Sequence, residues 1–170
     1  MTENTNTPIL IPQTETVTAP KVSRRNMTSY WGVSLRRDPL DIPQVKQILS
    51  ENPNLIINKG FHVTLLYVGK KINDNEAVFL PYDTKECQVE ISGFGYSDDA
   101  LALKVNQVIC DDVVLPFFGE EGKKMHVTVA LKTGIKPVDS VKTLHDTNKD
   151  RIVDFPENIV LKGWMKRFLY

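Results

Sequence analysis

Residues 61–68 have the sequence FHVTLLYV and residues 125–132 have the sequence MHVTVALK, so the tripeptide His-Val-Thr occurs twice in this chain of 170 residues. The chain contains three histidines, and two of them begin this tripeptide. Both stretches are rich in the β-branched and aromatic residues that are typical of β-strands. The repeat therefore predicts two similar strands, each with a histidine and a threonine two residues apart.

Side chains alternate between the two faces of a strand, which decides what each stretch presents on its front. In the first stretch, His62 and Thr64 share one face. The apolar residues of this stretch lie on the opposite face, namely Phe61, Val63, Leu65 and Tyr67. In the second stretch, His126, Thr128 and Lys132 share the front. Two such fronts facing each other would form a symmetric site.

Paired His-x-Thr or His-x-Ser motifs on two pseudo-symmetric strands are the signature of the two-histidine (2H) phosphoesterases. The chain resembles this superfamily over roughly residues 30–168. The superfamily includes bacterial RNA end-processing enzymes, the cyclic phosphodiesterase domain of fungal and plant tRNA ligases, and viral enzymes of the anti-CBASS type that destroy nucleotide second messengers. Bacterial members commonly carry longer helices between the motifs. The resemblance is therefore nearest to the tRNA-ligase-like and viral branch.

The resemblance implies a fold and a site. The fold is α+β, with two-lobed, pseudo-symmetric antiparallel sheets, a few outer helices and a central cleft. The order of predicted strands and helices also favours an α+β class with largely antiparallel sheets. The resemblance implies that His62, Thr64, His126 and Thr128 are the catalytic and phosphate-binding residues.

These residue types suit phosphodiester cleavage. A base must deprotonate the attacking oxygen and an acid must protonate the leaving oxygen, and histidine can do either because its unperturbed pKa is near neutral. Threonine hydroxyls beside the histidines can donate hydrogen bonds to phosphate oxygens. The sequence leaves open which histidine is the base. Neither tripeptide belongs to a local metal-ligand motif, so we expect no metal and no cofactor.

Three further residues are candidates for substrate binding. Tyr30 lies on the cleft-facing side of the first predicted strand, where it can stack on a base. Trp164 is a similar candidate on the last strand, and Lys132 shares a face with His126 by alternation. Phe118 is most simply a core residue.

The distribution of apolar, proline and capping residues in the rest of the chain predicts the other helices and strands. A helix is expected from an N-cap at Asp41 to the residue before Asn52, with Pro43 in its first turn. A helical turn is expected over 76–80, and a hairpin over 88–96 and 100–106. The last strand is expected over 159–168.

Composition limits the classes of function. The chain has 21 Lys and Arg residues and 21 Asp and Glu residues, giving a formal net charge of zero. This balance argues against a protein that holds long nucleic acid chiefly through phosphate contacts, but it is compatible with a small nucleotide in a pocket. Cys87 and Cys110 are expected to be free, buried thiols.

Residues 1–27 are rich in Thr, Asn, Pro and Gln and are predicted to form a disordered N-terminal arm. Residues 28–170 are predicted to form a single 2H phosphoesterase-like domain. The first residues lack the features of a signal peptide, and no apolar run reaches membrane-spanning length. We therefore expect a cytoplasmic protein (in the host cytoplasm if viral) with no membrane partner; the sequence does not give its oligomeric state.

The leading hypothesis is a metal-independent phosphodiesterase that hydrolyses a cyclic di- or trinucleotide immune signal, which by analogy implies viral evasion of host defence. Processing of RNA ends that bear a 2′,3′-cyclic phosphate, or cleavage of 2′,5′-oligoadenylate, is the alternative. RNA-end processing would more naturally come with a basic track. A nucleotide-binding or RNA-binding module is the non-enzymatic alternative, although binding alone needs no matched acid and base. The third hypothesis is a β-rich protein with a purely structural role in protein interactions.

Overall fold

The computed structural model describes residues 28–69, 73–120 and 122–169. Within these ranges the strands are β1 (Thr28–Leu35), β2 (Ile56–Ile57), β3 (Phe61–Tyr67), β4 (Glu86–Tyr96), β5 (Ala100–Cys110), β6 (Val113–Val114), β7 (His126–Leu131) and β8 (Ile152–Leu169). The α-helices are α1 (Pro43–Glu51) and α2 (Glu76–Phe79). Segments of 3-10 helix cover Asp38–Asp41, Leu80–Tyr82, Pro137–Leu144 and Asp146–Arg151. The predicted arm, residues 1–27, lies outside the described residues.

The strands of the described residues form one sheet in the order β2-β7-β3-β1-β8-β4-β5-β6, and the paired strands are antiparallel. A further pairing between β7 and β5 closes β7, β3, β1, β8, β4 and β5 into a six-stranded barrel. The prediction of an antiparallel, sheet-rich α+β fold is confirmed. The structure differs from the predicted pair of lobes, because β5 pairs with both β4 and β7 and joins all strands into one closed sheet.

The core fills the inside of this barrel. Alternate side chains of each strand point inward, which is how a closed sheet buries one face of every strand. Trp31 and Val33 on β1, Val63 on β3 and Val127 on β7 are fully buried. Apolar residues of the β4–β5 hairpin are buried as well, namely Val89, Ile91, Leu101, Leu103 and Val105.

Helix α1 begins differently from the prediction. Its N-cap is Ile42, without a side-chain capping bond, and the expected cap Asp41 belongs to the preceding 3-10 turn. Pro43 explains the shift, since proline fits the first helical turn but disfavours helical dihedral angles in the residue before it. Val45 and Ile48 on α1 are buried.

The last strand, β8, is longer than predicted. It begins at Ile152 and contains an irregularity, because its register with β4 steps from Ile159 opposite Ile91 to Asp154 opposite Gly93. Residues 155–158 therefore loop out of the ladder, which lets Pro156 lie within the strand without removing a ladder hydrogen bond. The sequence pattern missed this extension because Pro156 argues against a continuous strand.

Cys87 and Cys110 lie opposite each other on β4 and β5, and both are buried free thiols. Burial raises the pKa of the Cys87 thiol, and the hydrogen bond with Cys110 raises it further. In the described part of the chain, no helix is long and apolar enough to cross a membrane.

Candidate active site

The two His-Val-Thr triplets come together in the structure. Strands β3 and β7 are antiparallel neighbours, and they pair at the central valines, Val63 opposite Val127. Side chains one residue to either side of such a pair emerge on the other face of the sheet. His62, Thr64, His126 and Thr128 accordingly line one cavity of about 580 Å³ on the outer face of the barrel.

Each triplet is followed directly by a β-bulge. The pairing of β1 with β3 steps from Thr64 to Leu66, which leaves Leu65 as an extra residue. The pairing of β5 with β7 steps from Thr128 to Ala130, which leaves Val129 as an extra residue. A bulge bends the strand and re-aims the side chains that follow it. The two motif strands thus share a break in pairing at the same position.

Each bulge leaves one backbone carbonyl without a hydrogen-bond partner in the paired strand, and a residue from another segment satisfies it. The Leu65 carbonyl accepts a hydrogen bond of 2.8 Å from the Phe118 N–H. The Val129 carbonyl accepts one of 2.8 Å from the Asn58 N–H. Each triplet is therefore held from outside the barrel by a short segment that satisfies the bulged residue.

Because of the bulges, two residues lie on a different face of the sheet from the one that simple alternation predicted, namely Tyr67 and Lys132. After the first bulge, Leu65 and Leu66 are both buried, and Tyr67 moves to the cavity face, where it is 65% exposed. After the second bulge, Val129 and Ala130 are both buried. The same shift removes Lys132 from the face of His126.

Of the three predicted substrate-binding residues, one lies in the cavity wall and two lie elsewhere. Tyr30 lines the cavity, and its ring centroid lies 5.2 Å from that of His62. Among the described residues, Lys132 and Trp164 are not part of the cavity wall. Lys132 lies beside the β4–β5 turn, where its N–H donates to the Asp99 carbonyl at 2.8 Å. Trp164 lies farther along the outer face, with the Arg36 guanidinium 4.5 Å from its ring centroid.

The side of the cavity around Tyr30 is aromatic. Tyr30 stacks on Phe168 with 4.3 Å between ring centroids, and His62 lies 5.3 Å from the same Phe168 ring. Phe117 and Phe118 add further aromatic surface. Phe118 also packs against the core, as predicted, so it serves both regions. Burial raises the pKa of the Tyr30 hydroxyl, which keeps it a hydrogen-bond donor at neutral pH.

Both cavity histidines are biased toward their neutral form. Burial lowers the pKa of His62, and the nearby His126 lowers it further. Burial also lowers the pKa of His126, with Lys123 adding to this effect and a hydrogen bond to the Lys124 carbonyl opposing it. In that bond Nδ1 of His126 lies 3.1 Å from the carbonyl oxygen. Since a carbonyl only accepts, Nδ1 carries a proton and Nε2 is left as the atom that can exchange one.

The two threonines differ in their surroundings. Thr128 is buried, and its hydroxyl oxygen lies 2.6 Å from the Ser140 hydroxyl and 3.2 Å from the Pro137 carbonyl. Ser140 donates to the same carbonyl at 2.8 Å. Thr64 is half-buried, and among the described residues its hydroxyl has no hydrogen-bond partner. Thr64 can therefore donate to a ligand directly, whereas the Thr128 hydroxyl is engaged by the Pro137–Leu144 segment.

Two cavity lysines were missed in the sequence analysis. Lys123 and Lys124 line the cavity next to His126. Lys123 pairs with Glu120 at 3.1 Å, and Nζ of Lys124 donates to the Leu144 carbonyl at 3.2 Å. A signal was present, because both triplets have a lysine three residues before the histidine, Lys59 and Lys123. Extending the repeat by three residues would have included Lys123.

Over the described ranges, no three His, Cys, Asp or Glu side chains come together in a group that could hold a metal ion. Besides the carboxylate of Glu120, the polar groups of the cavity are histidines, hydroxyls and lysines, which donate to an anion or exchange protons with it.

Comparison with known proteins shows the fold. No protein-family model matches the chain, and no curated protein sequence matches it. The solved structure of a fungal RNA kinase is similar, with a TM-score of 0.57 and 14% sequence identity. The match covers 85% of this chain and 46% of the fungal protein, so the chain spans less than half the length of that protein.

Proposed function

We propose that this protein is a metal-independent phosphodiesterase that acts on nucleotides through His62 and His126. The observation that carries the proposal is the antiparallel pairing of the two triplets at Val63 and Val127 in one cavity. This pairing presents two histidines and two threonines to one bound phosphate. The 2H phosphoesterase resemblance of the sequence supports the same reaction.

The reaction needs one neutral and one protonated histidine. The base removes a proton from the attacking water or ribose hydroxyl as that oxygen bonds to phosphorus, and the acid gives a proton to the leaving oxygen. The Lys124 carbonyl helps to hold His126 in its protonated form, because it accepts from Nδ1 at 3.1 Å. We therefore assign His126 as the acid in the cleavage direction and His62 as the base.

Developing negative charge on the phosphate is met by donors in the cavity. The Thr64 hydroxyl is available, and Lys123 can turn to the phosphate from its exposed pair with Glu120. Thr128 takes part once its hydroxyl turns from Ser140 and Pro137 toward the phosphate. Donors aimed at developing charge typically contribute a few kcal/mol each to the rate.

Two substrate classes compete within this proposal. A cyclic di- or trinucleotide suits the neutral charge of the chain, and a cavity of about 580 Å³ is in the usual range for a small-ligand site. A linear RNA end is the second candidate. It is favoured by the cationic and aromatic side chains beside the cavity and by the likeness in fold to a protein whose name is fungal RNA kinase.

The proposal is tested by turnover in the presence of EDTA. The panel contains cyclic dinucleotides, cyclic trinucleotides, 2′,5′-oligoadenylate, and RNA ending in a 2′,3′-cyclic phosphate. Wild type is compared with His62→Ala and His126→Ala, and with Lys149→Ala as an exposed control far from the triplets in sequence. We expect turnover that survives EDTA and falls by about 100-fold or more in each histidine variant. Full activity in either histidine variant would contradict the proposal.

A further inference from the structure

The last strand carries alternating cations and aromatic rings on its outer face. Residues 161–168 have the sequence LKGWMKRF. Leu161 and Met165 point into the barrel and are buried. The side chains at the even-numbered positions of this stretch lie on the opposite face, in the order cation, aromatic, cation, aromatic. We call them the β8 track, and they are Lys162, Trp164, Lys166 and Phe168.

The β8 track lies on the same face of the sheet as the first triplet. On β1, Ser34 is paired with Trp164 of β8 on one side and with His62 of β3 on the other. Gly32 is paired in the same way with Lys166 and Thr64. Two strand spacings separate each member of the track from its counterpart in the triplet, a distance of about 10 Å.

The residues between the track and the triplet are small along part of this path and aromatic at its end. Gly32 and Ser34 put little bulk between Trp164 and His62. In the next pair of positions Tyr30 stacks on Phe168, at 4.3 Å between centroids, and contacts His62. The track therefore runs into the cavity wall without an intervening element.

Charge along the track favours an anionic partner. Nζ of Lys166 lies 5.3 Å from the Phe168 ring centroid, and the Arg36 guanidinium lies 4.5 Å from that of Trp164. Glu86 faces Lys162 at 3.7 Å, but both side chains are more than half exposed, so this pair is easily exchanged for a phosphate contact. Beyond Arg36, an open groove of about 770 Å³ adds the cations Arg37 and Lys59, together with one carboxylate, Asp38.

Alternating cations and rings match the chemistry of single-stranded nucleic acid. Bases stack on aromatic rings or on arginine planes, while lysines meet the phosphates between them. From Lys162 to Phe168 the strand spans about 20 Å at roughly 3.3 Å per residue. None of the four track residues is part of the cavity lining given by the described residues, so a ligand confined to the cavity would leave the track uncovered.

We infer that the β8 track binds a single-stranded RNA segment whose end enters the cavity at His62. The inference deepens the proposed function by naming a linear RNA as the substrate class, and it rests on that function for the reaction but not for the binding. The neutral net charge of the chain had argued against such a track, but the two lysines of the track lie on β8 alone, and a local patch of this size does not need an excess of positive charge in the whole chain.

Binding is measured by fluorescence anisotropy with a labelled single-stranded RNA of about ten nucleotides that ends in a 2′,3′-cyclic phosphate, a length within the range of known single-strand sites. We expect Trp164→Ala to weaken binding about tenfold, within the range for one stacked base, and Trp164→Phe to restore most of it. Lys162→Ala and Lys166→Ala should each reduce the slope of log affinity against log salt by roughly 0.7. Lys149→Ala is the matched lysine control.

Measurements of KM for a long and a short substrate distinguish the role of the track from that of the cavity. For the RNA probe, Trp164→Ala and Lys166→Ala should raise KM by about tenfold, with KM for a nucleoside 2′,3′-cyclic phosphate unchanged. Circular dichroism and thermal melting of each variant test its folding. If Trp164→Ala fails to fold, the exposed Lys162 and Lys166 variants still decide the question through the salt slope.

The outcomes distinguish the two proposals. Track-dependent RNA binding without turnover leaves the inference standing and removes the phosphodiesterase proposal. Turnover of small nucleotides together with RNA binding that is equal in wild type and track variants leaves the phosphodiesterase and removes the inference. Binding of a cyclic dinucleotide but not of the RNA probe also overturns the inference.

Discussion

Val63 and Val127 pair directly across β3 and β7, and each is the central residue of a His-Val-Thr triplet. The pairing relates the two triplets by an approximate two-fold axis, since the strands run in opposite directions. Continuing the register by one residue in each direction sets His62 beside Thr128, and Thr64 beside His126. Each histidine thus has the threonine of the other triplet as its neighbour, which is the arrangement expected if both triplets act on one phosphate.

The first prediction concerns the unequal threonines. Thr64→Val removes a hydroxyl without a partner in the described structure, so we expect an unchanged urea midpoint and a loss of about 100-fold in kcat/KM. Thr128→Val removes one of the two hydrogen bonds of the buried Ser140 hydroxyl, which keeps its bond to the Pro137 carbonyl, so it should lower the free energy of unfolding by roughly 0.5–1.5 kcal/mol in addition to reducing activity. Equal stability of the two variants would contradict the assigned hydrogen bonds.

The second prediction concerns the pH dependence of turnover. Cleavage requires one protonated and one neutral histidine, and this form is most populated between the two apparent pKa values of the pair. Both histidine pKa values are lowered from 6.5, chiefly by burial. The profile of kcat/KM should therefore have its maximum below pH 6.5. The profile of kcat should lie at higher pH, because a bound phosphate anion favours the protonated histidines.

A maximum of kcat/KM at pH 7 or above would contradict this second prediction. The His62→Ala variant is the control for the assignment, because it should lose the bell shape along with most of the rate.

The sequence predicted the placement of the two triplets better than it predicted the walls of the cavity. Alternation placed His62 and Thr64 on one face because these positions precede the bulge at Leu65. It failed for Tyr67 and Lys132, because the bulges that follow each triplet are stabilised by Phe118 and Asn58, which are distant in sequence. No residue type within either triplet signals such a bulge.

Barrel closure was beyond pattern analysis for a related reason. The pairing of β5 with β7 joins strands separated by residues 111–125, which first turn back through β6, so the nearest turn signal predicts the β5–β6 pairing and not the closure. That closure, with the pairing of β1 to both β3 and β8, brings Trp164 onto the face of His62. The β8 track contains only two lysines, which acidic residues elsewhere balance in the net charge of zero, so composition alone argued against it.

The third prediction concerns stability as a function of pH. Because the folded protein lowers both histidine pKa values, the unfolded chain binds more protons as the pH falls below 6.5. The stability associated with the two neutral histidines is fully present above pH 6.5 and is lost as the pH falls through the lowered folded values. Urea midpoints of wild type should therefore fall between pH 7.5 and pH 5 by more than those of the double variant His62→Gln/His126→Gln. The same pH dependence in both proteins would show that other groups are responsible.

The fourth prediction concerns the close approach of β1 to β3. A Cβ atom at Gly32 would lie 2.2 Å from the carbonyl oxygen of Val63, the residue between His62 and Thr64. Backbone atoms cannot rotate away, so Gly32→Ala must push β3 outward and shift the triplet. We expect a loss of roughly 1–3 kcal/mol in the free energy of unfolding. We also expect a fall of about 100-fold in kcat/KM, since a shift of about 1 Å can cost that much.

Gly60→Ala is the matched control, because among the described residues no atom lies within 4 Å of the added Cβ and the position directly precedes β3. Its urea midpoint and kcat/KM should stay close to those of wild type. Equal urea midpoints for the Gly32 and Gly60 variants would mean that β1 and β3 can move apart without a loss in the free energy of unfolding. The position of His62 would then depend on β7 and the Phe118 segment alone, because these are its remaining supports on that side of the barrel.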